Sequence, residues 1–147
     1  MSLTLDISKN EWPKRLKVYD AKSNAAILRV FLENALDLEK EAKNLAPKDA
    51  ADLEGDIITN PKVKGAPNYE SQVHAGTGRS AAYALRMHES LAPAIPTGDT
   101  QFKPGEVTRA KPPTQFGAAG GKYLERPLKG KGKQYMKRVA DRMKGLK

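Results

Sequence analysis

Between Ser23 and Leu45 the apolar residues recur with the period of one helical face. Ile27, Phe31, Ala35, Leu38, Ala42 and Leu45 follow one another at spacings of four, four, three, four and three. Leu28, Leu32 and Leu36 widen this stripe, while Glu33 with Asp37, and Glu39 with Lys43, decorate the outer side. Ser23 or Asn24 can cap the start and Pro47 follows the end. At ~1.5 Å per residue the helix over 23–45 is roughly 34 Å long, the diameter of a small domain. The rest of a chain this short must pack around it. A coiled coil would need more than the roughly three heptads on offer.

Shorter periodic segments flank the helix. Leu3, Leu5 and Ile7 alternate with polar residues, as in a half-buried strand. Asn10 can cap a short helix that places Trp12, Leu16 and Tyr19 on one face. Strands are expected within 57–89: at Ile57–Thr59, at Tyr69–Ala75, and at Ala81–Glu89, where Tyr83, Leu85 and Met87 recur at period two. Ala81, Ala82 and Ala84 would equally allow a helix in the last of these. Asn60-Pro61 and Gly65-Ala66-Pro67 punctuate the intervening chain.

The stretch 90–121 has little periodicity and carries five of the ten prolines. Connections in compact domains are typically about 4–6 residues, so a segment of this length is either disordered or ordered by a neighbour. Its scattered Ile95, Phe102, Val107 and Phe116 favour an extended arm with docking points on another subunit. Tyr123, Leu124 and Leu128 then anchor a final basic helix over 131–146, with Gly130 and Gly132 separating anchor from helix. The fold class expected is α+β, as a single domain over 1–147: a long helix on an antiparallel sheet, an arm, and a basic C-terminal helix.

The net charge of +9 is confined to one half of the chain. Residues 1–60 hold 9 basic and 11 acidic residues, whereas residues 61–147 hold 17 against 6. Lys129, Lys131, Lys133, Lys137, Arg138, Arg142 and Lys144 crowd the final helix beside Asp141, the one acidic residue in 129–147. They are candidate contacts to a DNA lumen or to an acidic protein. A solvated basic helix is the plainer alternative.

Signals for chemistry are weak. With no cysteine, disulfides and thiol catalysis are excluded. His74 and His88 lie fourteen residues apart, in no metal-ligand spacing. The acidic group Asp49, Asp52, Glu54 and Asp56 lacks the spacing of a calcium loop. Gly117-Ala118-Ala119-Gly120-Gly121-Lys122-Tyr123 has neither the leading glycine nor the trailing Ser/Thr of a phosphate loop. Neither an enzyme nor a cofactor is expected. No apolar run reaches the ~20 residues of a membrane span, and the first ten residues do not read as a secretory signal.

Three motifs in order carry a resemblance. The long helix ends in Ala46-Pro47-Lys48-Asp49-Ala50-Ala51-Asp52-Leu53; Tyr83-Ala84 with His88-Glu89 follows; and Tyr123-Leu124-Glu125-Arg126-Pro127-Leu128 precedes the final helix. In this the chain resembles the small tail-component family of tailed bacteriophages, the neck or tail-completion proteins of the head–tail junction. The match runs over about residues 25–145 and rests on Pro47, Asp49, Leu53, Tyr83, Ala84, Glu89, Tyr123, Leu124, Pro127 and Leu128. Ala50 and Ala51 replace a Thr-Gly pair of the family pattern. The resemblance implies a structural virion protein, assembled in the host cytoplasm as a ring of six copies, with twelve as the alternative. It also implies contact with portal or adaptor proteins on one side and tail-terminator or tail-tube proteins on the other, and DNA passing through transiently. The competing reading is a sequence-independent nucleic-acid-binding module that uses the basic C-terminal segment.

Overall fold

The structure, a computed structural model, describes residues 2–6, 21–48, 53–66, 68–76, 78, 80–81, 84–90 and 105–145. Helix α1 spans Ala21–Leu45. The six stripe residues Ile27, Phe31, Ala35, Leu38, Ala42 and Leu45 are all buried, so period 3.6 correctly locates the core face. Leu36 is the exception to the widened stripe: it lies about half exposed on the far side.

Three strands form one antiparallel sheet: β1 (Ser2–Asp6), β2 (Ile58–Thr59) and β3 (Glu70–His74), in the order β1-β3-β2. Leu3 pairs with Val73 on one side of β3, and Thr59 with Val73 on the other. Ser71 and Val73 are buried while Glu70, Gln72 and His74 are only half-buried, the alternation of a strand with one covered face. Helix α1 supplies that cover and also touches β2. The Thr59 amide donates to the Glu39 carboxylate at 2.8 Å and its hydroxyl to the Ala35 carbonyl at 3.2 Å, so the Glu39 side chain of α1 meets the outer edge of β2. The structure is thus of mixed α+β class, with a long helix on an antiparallel sheet.

Where a strand over 81–89 is expected, the chain forms a helix, α2 (Ala84–Ser90). The period-two pattern misleads because its middle member, Leu85, is exposed. Among its described side chains the buried ones are Ala84, Met87 and His88, with Met87 and His88 three and four residues after Ala84, as on a helix. The turn before α2 is fixed by Asp56, whose carboxylate accepts from the Ser80 amide at 2.7 Å and from its hydroxyl at 2.6 Å. Gly76 admits the approach: its φ is +75°, and a Cβ there would lie 2.5 Å from that of Ala84.

The arm over 90–121 is also revised. Residues 105–121 pack on their own chain. A short helix, α3 (Glu106–Ala110), buries Thr108, whose hydroxyl accepts from the Lys48 amide at 2.9 Å. Lys111 donates through Nζ to the carbonyls of Lys43 and Ala46, at 2.9 and 2.8 Å, and pairs with Glu54. The Gly120 amide donates to the Leu45 carbonyl. The open carbonyls that end α1 are therefore met by this segment, and a lysine there suits the negative end of the helix dipole. Ile95 and Phe102 lie outside the described residues.

The final helix, α4, runs Glu125–Lys144, six residues earlier than the expected start at 131. Pro127 falls in the first turn, where its missing amide costs no helical bond. Gly130 and Gly132 are interior to the helix and do not break it. A Cβ on Gly130 would collide with the ring of Phe116, so this glycine is the seat of that side chain, while Gly132 faces open space. Helix α4 lies against α1, with Tyr135, Val139 and Met143 buried.

Candidate functional site

The three motif segments meet in one core. Leu53, Ala84, Tyr123 and Leu124 belong to a single buried cluster with Leu128 packed against it, and Pro47 and Pro127 are buried as well. The Tyr123 hydroxyl donates to the Ala84 carbonyl at 3.1 Å, and its ring meets the His88 ring edge-on at 5.0 Å. The second and third motifs are thereby joined directly. Asp49, Tyr83 and the side chain of Glu89 lie outside the described residues.

The seven basic candidates separate into two sets on opposite faces of α4. Lys131, Arg138 and Arg142 point at α1, where Glu33, Asp37 and Glu41 form an acidic row at four-residue spacing. Lys131 bonds Asp37 at 2.9 Å and Glu41 at 2.7 Å; Arg138 lies 3.7 Å from Asp37; Arg142 lies 3.4 Å from Glu33. The order runs antiparallel along the two helices. The Tyr135 hydroxyl adds a bond to Asp37 at 3.0 Å, and the Asn34 amide donates to the Tyr135 carbonyl at 3.3 Å. This corrects the placement of Asp37 on an outer, solvated side, while Glu33 stays exposed at the end of the row, and it removes Lys131 from any DNA-facing set.

The electrostatics of this seam follow from its packing. Burial alone would raise the Asp37 carboxyl, but hydrogen bonds from Lys131 and Tyr135 and the nearby cations hold it below its usual value. Burial alone would lower Lys131, but Glu41 and Asp37 hold its ammonium above the ordinary lysine value. Burial, reinforced by Asp37, raises the Tyr135 phenol well above 10.0, so it remains a donor. At the end of the seam a cleft of about 380 Å³ is lined by Val30, Glu33, Arg138, Asp141, Arg142 and Gly145. Both of its guanidinium groups are already engaged by carboxylates.

Lys129, Lys133, Lys137 and Lys144 form the second set and are all exposed. At 100° per residue they fall within an arc of about 80°, opposite the seam. Lys129 and Lys137 make i,i+4 pairs with Glu125 and Asp141, with lysine side chains 76% and 77% exposed. Pairs so open to water are worth little and yield readily to another anion. Lys133 and Lys144 have no acidic partner among the described residues. Helical periodicity alone could separate the two sets, once the helix is taken to start at Glu125.

Among the described residues no group of three or more His, Asp or Glu side chains is placed to hold a metal ion, and no helix is long and apolar enough to cross a membrane. Within the acidic group near Asp56, Glu54 faces Lys111 and Asp56 holds the Ser80 turn. Of the arm residues, Val107 is exposed and Phe116 is packed on the core. The chain matches no known family model, no curated protein and no solved structure.

Proposed function

We propose that this chain is a structural subunit of the neck of a tailed bacteriophage, assembling as a ring between portal or adaptor proteins and the tail-terminator or tail-tube proteins. The observation that carries the reading is the convergence of its three motif segments. Leu53, Ala84, and Tyr123 and Leu124 with Leu128 are far apart in sequence, yet they build one core around the Tyr123–Ala84 bond. A shared core gives each motif a reason to occur together with the others in one fold. The mixed α+β architecture also supports the resemblance, although fold class alone does not determine function.

In this reading the chain performs no bond-making chemistry and works by geometry. Residues 105–121 brace α1 within the subunit rather than reaching a neighbour. Negative-stain electron microscopy of the purified full chain tests the proposal. Closed rings, six-fold in projection, are the expected result. Particles of single-subunit size at every concentration imaged would overturn it.

A further inference from the structure

We infer that the outward face of α4 is a docking surface for the backbone of double-stranded DNA, carried by Lys129, Lys133, Lys137 and Lys144. The inference deepens the neck reading by naming the partner of one face, and rests on that reading for where the face is used.

The four lysines extend over about 22 Å of helix at 1.5 Å per residue. Their segregation from Lys131, Arg138 and Arg142 leaves wide-open point charges on one face and charges paired with α1 on the other. An ammonium on a four-carbon stem neutralises a phosphate without fixing direction, which suits a partner read by charge alone. Three features select the duplex. A protein partner would want an exposed apolar or aromatic centre, where lysine is depleted, but Tyr135, Val139 and Met143 are buried on the other side and Met136, at the edge of the ladder, is packed against the core. Single-stranded nucleic acid would want exposed aromatic platforms, and the same burial of Tyr135 withholds one. A duplex needs only phosphate contacts, and repeated cations along a straight helix supply them.

Glu125 and Asp141 compensate part of this charge, so between two and four phosphates are neutralised. At a slope of about −0.9 per phosphate, duplex affinity contributed by the ladder falls roughly 10- to 150-fold between about 50 and 200 mM salt.

The test is fluorescence anisotropy of the full chain with a mixed-sequence duplex, the corresponding single strand, and polyglutamate, across that salt range. The ladder variant carries Lys129→Gln, Lys133→Gln, Lys137→Gln and Lys144→Gln. The control carries Lys48→Gln, Lys62→Gln, Lys64→Gln and Arg109→Gln, exposed cations on other elements, for the same change in net charge. The expected result is duplex binding whose salt slope falls by about two to four in the ladder variant and by less than one in the control. Equal losses in both variants would overturn the inference, since net charge alone would explain binding. Tighter binding of polyglutamate or of the single strand would also overturn it, the former in favour of an acidic protein partner. Light scattering on the same samples separates the two proposals. Rings without ladder-dependent duplex binding remove this inference and leave the neck reading; ladder-dependent binding by a persistent monomer does the reverse.

Discussion

Replacing Lys131 with methionine tests the division of α4 into an inner and an outer face. Methionine preserves most of the aliphatic stem and removes the ammonium. Two short charge-assisted bonds, 2.9 Å to Asp37 and 2.7 Å to Glu41, are lost. Asp37 retains the Tyr135 hydroxyl at 3.0 Å and Arg138 at 3.7 Å. Glu41 retains no cation among the described residues. Breaking a fully buried pair from one side costs about 3–5 kcal/mol. Here the side chains of Lys131, Asp37 and Glu41 are 11%, 24% and 16% exposed, so water recovers part of that. The expected loss is about 2–3 kcal/mol. For a chain of this size that lowers Tm by roughly 5–12 °C.

Lys133→Met, two residues along on the outer face, provides the comparison. It removes the same charge and should change stability by no more than about 0.5 kcal/mol. Urea denaturation followed by far-ultraviolet circular dichroism measures both. Equal effects of the two substitutions, or a neutral Lys131→Met, would show that the seam between α1 and α4 does not form as described.

The acid limb of stability follows from this seam and from the contact of Glu39 with β2. Asp37 and Glu39 are both held below their ordinary values of 3.8 and 4.5, Glu39 because hydrogen bonds from Lys43 and Thr59 outweigh its burial. A depressed folded-state value means their stabilisation is complete above the unfolded values and disappears as pH falls through the folded ones. Asp37→Asn should therefore flatten the loss of stability below about pH 4, and an unchanged acid limb would count against the pairing. The two glycines of α4 predict opposite signs. Gly130→Ala should destabilise by about 1–2 kcal/mol by displacing Phe116, whereas Gly132→Ala, facing open space, should stabilise by up to about 1 kcal/mol. Stabilisation by both would mean that Phe116 does not seat on Gly130.

The parts of the fold legible in the sequence are those fixed by long local periodicity. Helix α1 repeats its apolar stripe over about five turns, so chance does not easily imitate it. Strand β3 shows its alternation over five residues bounded by turns. Helix α2 is only seven residues long, and a fortuitous alternation of Tyr83, Leu85 and Met87 competes with its true buried face. The start of α4 is obscured because two glycines look like breaks; what makes Gly130 fit is Phe116, a residue outside the helix. The charged seam is harder still. The rows Glu33, Asp37, Glu41 and Lys131, Arg138, Arg142 are each visible, but their partnership spans roughly ninety to a hundred and nine residues and no local pattern announces it. Charges on a helix read as solvated until a second helix is known to lie against them. The same gap hides the role of residues 105–121, whose partners include the carbonyls of Lys43 and Ala46 at the far-off end of α1.

Sedimentation equilibrium of the chain distinguishes a ring subunit from a monomer, because a ring subunit must associate with a fixed, closed stoichiometry. A neck ring gives a discrete species six times the mass of the chain, stable on dilution over a wide range, with twelve copies as the other closed ring the resemblance allows. A single species of monomer mass at all concentrations, or open-ended growth with no preferred size, would contradict it.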